Sequence, residues 1–445
     1  MRQNSQKQMP LTTGLPDHPR SEELVAMSAI LDANPTINDL VFKDLTIHVQ
    51  AGTGCPGMTG EQVVRCAVLL RIFDCAYREL AYHLMDSDTA RWFARLPFGA
   101  TLSHSALQSN ISRIRPDTWE EINKIIVRYA AAEKIEKGRR TRTDTTVVTN
   151  AIHHPSDSAL LWDCVRVLTR LLIRARESGL LEECCFIDHR RAAKRRTKEI
   201  RNLPQSKHRK PYRKLLRLCQ ETVTDTVRVG IDLCRHDTLE SRLLVDEINY
   251  YVNMATRVMS QTWRRVINGE TVPASEKIVS IFEPHTDIIV KDRRDTFYGH
   301  KIMLTTGRTS LIIDCVVEEG NPADATLFKK SLERQNEIYG RYPRWVAADG
   351  GFTSKDNLAA AKSRGIKDVA FARKRNLNIL DMAKSEWVYR KLRNFRAGVE
   401  GCISALKRIC GLGRCTWRTF DGFKSYVQSG VVTFNLLILA RHMMS

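Results

Sequence analysis

Three carboxylates and two cations carry the chemistry open to this sequence. Arg396, Glu400 and Lys407 stand at i, i+4 and i+11, so on an α-helix they share one face. Val399, Ile403 and Leu406 recur at helical spacing on another face, which would enter a core. Far upstream, Asp349 ends the apolar run Trp345-Val-Ala-Ala and is followed by Gly350 and Gly351. Asp144 sits inside Thr143-Asp-Thr-Thr-Val-Val148, a strand by composition. A short Asp side chain on a strand keeps its oxygens near a rigid backbone, and a Glu on a helix reaches further. Carboxylates from two strands and one helix can meet around divalent metal, which takes hard oxygen ligands. The plainer reading is a surface ladder of ion pairs along the helix.

Arg396-x3-Glu400-x6-Lys407 resembles the signature around the last acid of DDE transposases from bacterial insertion sequences. Asp144-Thr-Thr-Val-Val and His154-Pro-Ser-Asp157-Ser resemble the stretch around the first acid of that group, and Ala348-Asp-Gly-Gly-Phe352 resembles the second. Gly320-Asn-Pro-Ala-Asp324 resembles the turn that commonly precedes the second acid. Ordered anchors are more specific together than any one alone. Where the family signature usually has Tyr, three residues before the Arg, this chain has Arg393.

The resemblance implies a catalytic and metal-binding triad of Asp144, Asp349 and Glu400. It implies two Mg²⁺ ions about 4 Å apart, replaceable by Mn²⁺. Asp144 would bridge the ions, with Asp349 completing one and Glu400 the other. Arg396 and Lys407 would hold phosphates or serve as structural counterions to Glu400. In this reading water attacks at the element's end and the freed 3′-OH attacks target DNA. Other acids have simpler expectations. Asp292 and Asp295 read as surface pairs within Lys291-Asp-Arg-Arg-Asp, Asp157 as a helix cap, and Asp324 as a cap or a support behind the ligands. His153, His154 and His300 could approach the metals, and otherwise read as packing or hydrogen-bonding residues.

The 445 residues carry 70 Lys or Arg against 50 Asp or Glu, a formal charge of +20. That excess points to a polyanion, nucleic acid first. Its densest part is residues 189–218, with 13 Lys or Arg and one Glu. We expect DNA-backbone contacts there from Arg190, Arg191, Lys194, Arg195, Arg196, Lys207, Arg209 and Lys210. Such contacts position DNA and do not read its sequence. The twelve cysteines show no CxxC or zinc-finger spacing and read as reduced thiols of a cytosolic protein. No apolar signal-like stretch begins the chain, and the apolar run Gly430–Leu439 is too short to span a bilayer of about 30 Å. No Gly-x-x-x-x-Gly-Lys-Ser/Thr or Gly-x-Ser-x-Gly motif occurs, so nothing supports ATP-dependent or serine-hydrolase chemistry.

Residues 1–20, rich in proline, read as a flexible arm. Residues 21–136 read as helices throughout: Thr59-x-x-Gln62 and Asp117-x-x-Glu120 are capping boxes, and Ser103–Arg113 is a short polar helix. This block is a helical bundle or a helix-turn-helix-like DNA-binding domain; the resemblance implies the latter. Residues 137–445 form the catalytic part, interrupted at about 155–285 by a basic helical insertion. The expected order after Thr141–Asn150 is a helical stretch, then strands at Ile278–Phe282, Tyr298–Leu304 and Ser310–Val317. A helix at 325–339 follows, then a strand ending at Ala348, a helix at 354–363, a strand at 369–371 and the Arg396–Lys407 helix. Alternating strands and helices mean α/β; the resemblance specifies an RNase H-like fold with an insertion after its first strand. The implied protein binds double-stranded terminal inverted repeats, works as a homodimer on DNA and sits in the bacterial cytoplasm near the nucleoid. A related metal-dependent nuclease without strand transfer, or a non-catalytic DNA-binding repressor, is the alternative.

Overall fold

The computed structural model describes residue 4 and residues 15–47, 57–97, 99–181, 184–291, 295–373 and 376–445. Most of the expected arm, and Asp292, lie outside the described residues. The chain forms two compact units, residues 1–151 with 300–445, and residues 152–299.

Among the described residues the first unit opens with seven helices: α1 (Pro19–Asp32), α2 (Thr36–Thr46), α3 (Gly60–Ile72), α4 (Tyr77–Asp86), α5 (Asp88–Phe93), α6 (His104–Ile111) and α7 (Pro116–Ala132). Thr59 and Gln62 form the expected reciprocal cap of α3. The cap expected at Asp117 does not form, because Pro116 takes the first helical position and Arg115 precedes it without a side-chain cap. Proline suits that position, since its missing N–H would have no helical partner. Every residue of α3 is buried. Its Arg65 is tolerated there because Asp32 at 2.6 Å and Glu61 at 3.2 Å receive the guanidinium.

After β1 (Arg140–Asn150), the second unit begins with α8 (Asp157–Glu177), α9 (Arg190–Asn202), α10 (Arg209–Leu233) and α11 (Leu239–Thr262). The stripe Leu161, Val165, Leu168 and Leu172 forms part of its core. Ala193 and Ile200 join that core from α9, so the basic helix is amphipathic rather than uniformly solvated. Ile278–Phe282 is not a strand. Ile278 and Ile281 instead plug the helical core, and the Ile278 backbone bonds both ways with the Gln261 side chain. A run of apolar residues has no strand periodicity to enforce when side-chain amides satisfy its backbone. β2 (Asp287–Lys291) pairs antiparallel with the first half of β3 (Asp295–Thr306), and β3 continues into the first unit from His300.

Back in the first unit, β4 (Ile312–Val317) pairs antiparallel with β3. Then come α12 (Asp324–Tyr339), β5 (Trp345–Ala348), α13 (Lys355–Ser363), β6 (Asp368–Phe371), α14 (Ile379–Met382), α15 (Glu386–Ile409), β7 (Arg414–Cys415) and α16 (Phe420–Met444). β1 is central: β3 and β5 flank it, β6 lies beyond β5, and β7 pairs with its last residues. β5 is parallel to β1 and β6 parallel to β5. The fold is thus mixed α/β with a helical N-terminal region, in the element order the sequence implies from β3 onward.

α16 binds the N-terminal helices to the sheet. Its Val432, Leu436 and Leu437 share one core with α1, α3, α7 and β4. Among the described residues no helix is long and apolar enough to cross a membrane. The buried polar residues in α16 show what the helix does instead. The Asn435 amide donates to Asn123 Oδ1 of α7 at 2.7 Å and to the Ile312 carbonyl of β4 at 2.8 Å. It also accepts from the Ile312 N–H at 2.8 Å. Arg334 of α12 adds a second tie, reaching Asp314 of β4 at 2.7 Å and Glu120 of α7 at 2.9 Å. Asn435→Leu should therefore destabilise the protein by about 3 kcal/mol in chemical denaturation, because it strands buried backbone and amide groups. A change within about 0.5 kcal/mol, ordinary for surface positions, would show that this junction is not what holds α16.

Candidate active site

The central strand, its parallel neighbour and α15 each deliver one acid to the same place. Asp144 lies mid-way along β1, where burial on both sides makes the strand rigid. Asp349 follows the last residue of β5 and opens a single 3₁₀ turn at Gly350–Phe352. Glu400 projects from α15, which Ser385 caps and which buries Val399, Cys402 and Leu406 on its opposite side. The Arg396 guanidinium joins all three. Its Nη2 lies 2.9 Å from Asp144 Oδ2 and 2.8 Å from Asp349 Oδ1, and its Nη1 lies 2.8 Å from Glu400 Oε1. Arg396 and Glu400 do form a helical i, i+4 pair, yet the same guanidinium also reaches two strands. The cluster opens to solvent on one side: the Glu400 side chain is 65% exposed and Asp349 38%, against 12% for Asp144.

Two features place α15 at this distance from β1. Arg142, two residues before Asp144, donates to the Phe395 carbonyl at 2.9 Å and to Thr306 Oγ1 at 2.9 Å. It also donates to Ser310 Oγ at 3.1 Å and Cys402 Sγ at 3.3 Å. Gly398 makes room for it, since a Cβ there would collide with the Arg142 guanidinium. The glycine between Arg396 and Glu400 is therefore a steric requirement of the junction. Its absence of a side chain has a helix-propensity cost of about 1 kcal/mol relative to Ala.

Asp324 is the residue whose part the sequence understated. It does not cap α12 through its side chain; the helix starts at Asp324 itself, after Ala323. Its Oδ1 instead accepts from Thr145 Oγ1 at 3.2 Å and from Lys301 Nζ at 3.0 Å, next door to Asp144. Gly351 permits the approach, because a Cβ there would meet Asp324 Oδ2 at 2.5 Å. The motif Gly320-Asn-Pro-Ala-Asp324 was the signal for it. Arg142 had no comparable signal, because a cation in a strand announces nothing until α15 is folded against it.

The remaining candidates sort by geometry. Lys407 lies half-buried in the last turn of α15, two turns beyond Glu400. In the second unit, Arg190 pairs with Asp188 at 2.7 Å and Arg196 with Glu199 at 2.5 Å. Arg191, Lys194, Arg195, Lys207, Arg209 and Lys210 are exposed, with Lys194 also 5.9 Å over the Trp162 ring. Asp157 is not the cap of α8, which is Ser156; it pairs with Arg265 at 2.9 Å. His153 bonds Asp163, His154 stacks edge-on to Tyr298, and buried His300 packs against Phe420 and Phe423. The eleven described cysteines are free.

As it stands, no group of three or more His, Cys, Asp or Glu among the described residues is arranged to hold a metal ion, and the guanidinium lies between the acids. The donor set nonetheless suits a divalent ion. Its oxygens are hard, one side is open, and three formal negative charges face one cation. At Asp144, burial, opposed by Arg396 and the Thr145 N–H and reinforced by Asp349 and Asp324, raises the carboxyl from 3.8 to about 6.

Residues 283–436 match the family model described as the transposase DDE domain. That stretch contains Asp349, Arg396, Glu400 and Lys407, and Asp144 lies before it. No curated protein and no solved structure matches the chain significantly. The match supports a DDE-class transposase.

Asp144 gives a pH test. A native carboxyl raised to about 6 keeps its proton where the unfolded chain has lost it. Its contribution to stability is full below about pH 4 and is lost as pH rises through about 6. In chelator, Asp144→Asn should gain up to about 3 kcal/mol relative to wild type between pH 4 and pH 8. Denaturation across that range that leaves the difference flat would show an ordinary carboxylate at Asp144.

Proposed function

We propose that this chain is a DNA transposase of a bacterial insertion sequence that cleaves phosphodiester bonds at terminal inverted repeats and joins the 3′ ends to target DNA. The observation that carries this reading is the meeting of Asp144, Asp349 and Glu400 on one guanidinium. Two of those acids fall inside the transposase DDE match. A central β1 flanked by β3 and β5, with a helical stretch in the chain between β1 and β3, supports an RNase H-like catalytic domain over 137–445. In this reading the stretch at about 155–285 is the insertion and the helices of 21–136 bind DNA.

Asp144, Asp349 and Glu400 would hold two Mg²⁺ ions, or Mn²⁺ in their place. Bound there, such ions supply nucleophile activation and stabilise charge on the leaving oxygen. The chain's own part is positioning. Asp144 on the rigid central strand fixes one edge of the site, and α15, locked by Arg142, fixes the other. Lys407, on the same helical face as Glu400, would hold a DNA phosphate. The exposed cations of α9 and α10 would hold duplex backbone, and two DNA ends call for a homodimer. A labelled duplex carrying the DNA that flanks this gene tests the reading. Wild type should cut and join it with Mg²⁺, and Glu400→Gln should lose about 10³-fold in rate while still binding. Equal cutting by Glu400→Gln would remove the site from the mechanism.

The basic helix gives a separate test. Replacing Arg191, Lys194 and Arg195 together with Ala should weaken duplex binding at every sequence. It should also flatten the dependence of log K on log salt by about 0.9 for each phosphate the variant no longer neutralises. An unchanged salt slope would mean that these cations face solvent and not DNA.

A further inference from the structure

We infer that Arg396 is a built-in counterion that keeps the acidic cluster in an ion-free form, so that divalent metal is admitted only when this guanidinium leaves. The inference rests on the functional reading above and concerns how that site is regulated.

Its position is what an internal stand-in for a divalent ion requires. One guanidinium accounts for one oxygen from each of three acids, drawn from β1, β5 and α15. Those are the oxygens a metal would need, so ion and guanidinium compete for the same atoms. One positive charge against three negative ones makes the substitution incomplete. One further observation bears on the placement. The Arg396 Nε is buried without a hydrogen-bond partner among the described residues, although buried donors are almost always paired. The planar fork thus places both Nη atoms among the acids while leaving its Nε unpaired. Arg396 is not needed to brace α15, because Arg142 already braces that helix with bonds from Nε, Nη1 and Nη2.

The exit is also visible. Glu400 and Asp349 line the solvent-open side of the cluster, and Arg396 sits on a long, unbranched side chain. A DNA phosphate arriving on that side offers the guanidinium a bidentate anion in exchange for its carboxylates. Phosphate binding and metal binding then favour each other, because each relieves the charge the other leaves behind, and linkage makes the coupling reciprocal. Free protein would bind metal weakly and protein on DNA more tightly, which suppresses cutting away from the assembled complex.

The test is Mn²⁺ binding to the full chain, followed by electron paramagnetic resonance and calorimetry, without DNA and with an uncleavable phosphorothioate duplex. Arg396→Ala should bind Mn²⁺ at least about tenfold more tightly than wild type without DNA. It should melt at a lower temperature in chelator and recover when Mn²⁺ is added. Arg396→Lys, which keeps the charge but lacks the planar fork, should fall between the two. DNA should tighten Mn²⁺ binding to wild type and leave Arg396→Ala nearly unchanged. Adding Glu400→Gln to Arg396→Ala should weaken the ion again, which places it in this cluster. Equal or weaker Mn²⁺ binding by Arg396→Ala would overturn the inference, as would tight binding indifferent to Glu400→Gln. Cutting of the flanking-DNA duplex is read separately. Its absence in wild type sinks the transposase reading whatever the Mn²⁺ titration gives.

Discussion

Three like charges cannot be brought together by a fold unless something answers them, and here the answer is a single guanidinium. Asp144, Asp349 and Glu400 come from two strands and a helix that meet only in the folded chain. Each would repel the others in a partly buried setting. Arg396 makes the arrangement tolerable, and burial, with smaller contributions from Asp349 and Asp324, still raises the Asp144 carboxyl to about 6. Lys301 performs the same service for Asp324, one layer away. The cluster is therefore a place where the protein is locally short of positive charge, although the chain as a whole carries +20.

That contrast between local and global charge is informative. Part of the surplus lies on the exposed face of α9, where buried Ala193, Thr197 and Ile200 turn the Lys and Arg outward. Outward cations suit a polyanion approached from solvent. The acids sit at the sheet instead, where backbone rigidity fixes their spacing. In the proposed function, binding and chemistry draw on different structural materials: exposed helical cations for the DNA backbone, and carboxylates held by the sheet and α15 for the reacting phosphate.

The scaffold is built to keep that second arrangement still. α15 is held against β1 by Arg142 and by the missing side chain at Gly398. The pair Gly350 and Gly351 lets Arg373 and Asp324 approach the turn after Asp349. α16 closes the unit by sharing a core with the N-terminal helices and by satisfying the β4 backbone through Asn435. Polar residues in that apolar helix are structural ties between layers, which is why a ten-residue run that looks membrane-like in composition carries Thr433 and Asn435 at its centre.

The sequence by itself determined the elements whose signals are local. Strand composition located β1, β4, β5 and β6, helical spacing put Arg396 and Glu400 on one face, and Thr59 with Gln62 marked the start of α3. It also nominated Asp144, Asp349 and Glu400, through motif resemblance rather than through any contact it could show. Local signals failed where a distant partner took over the backbone, as Gln261 did for Ile278, or where proline displaced a cap, as at Pro116. Only the tertiary structure decided that Arg396 serves three acids at once, that Arg142 sets the depth of α15, and that Asp324 faces Thr145 and Lys301 rather than its own helix. Apart from Arg396–Glu400, those pairings join residues separated by tens to hundreds of positions, and spacing along a chain carries no information about charges that become neighbours only on folding.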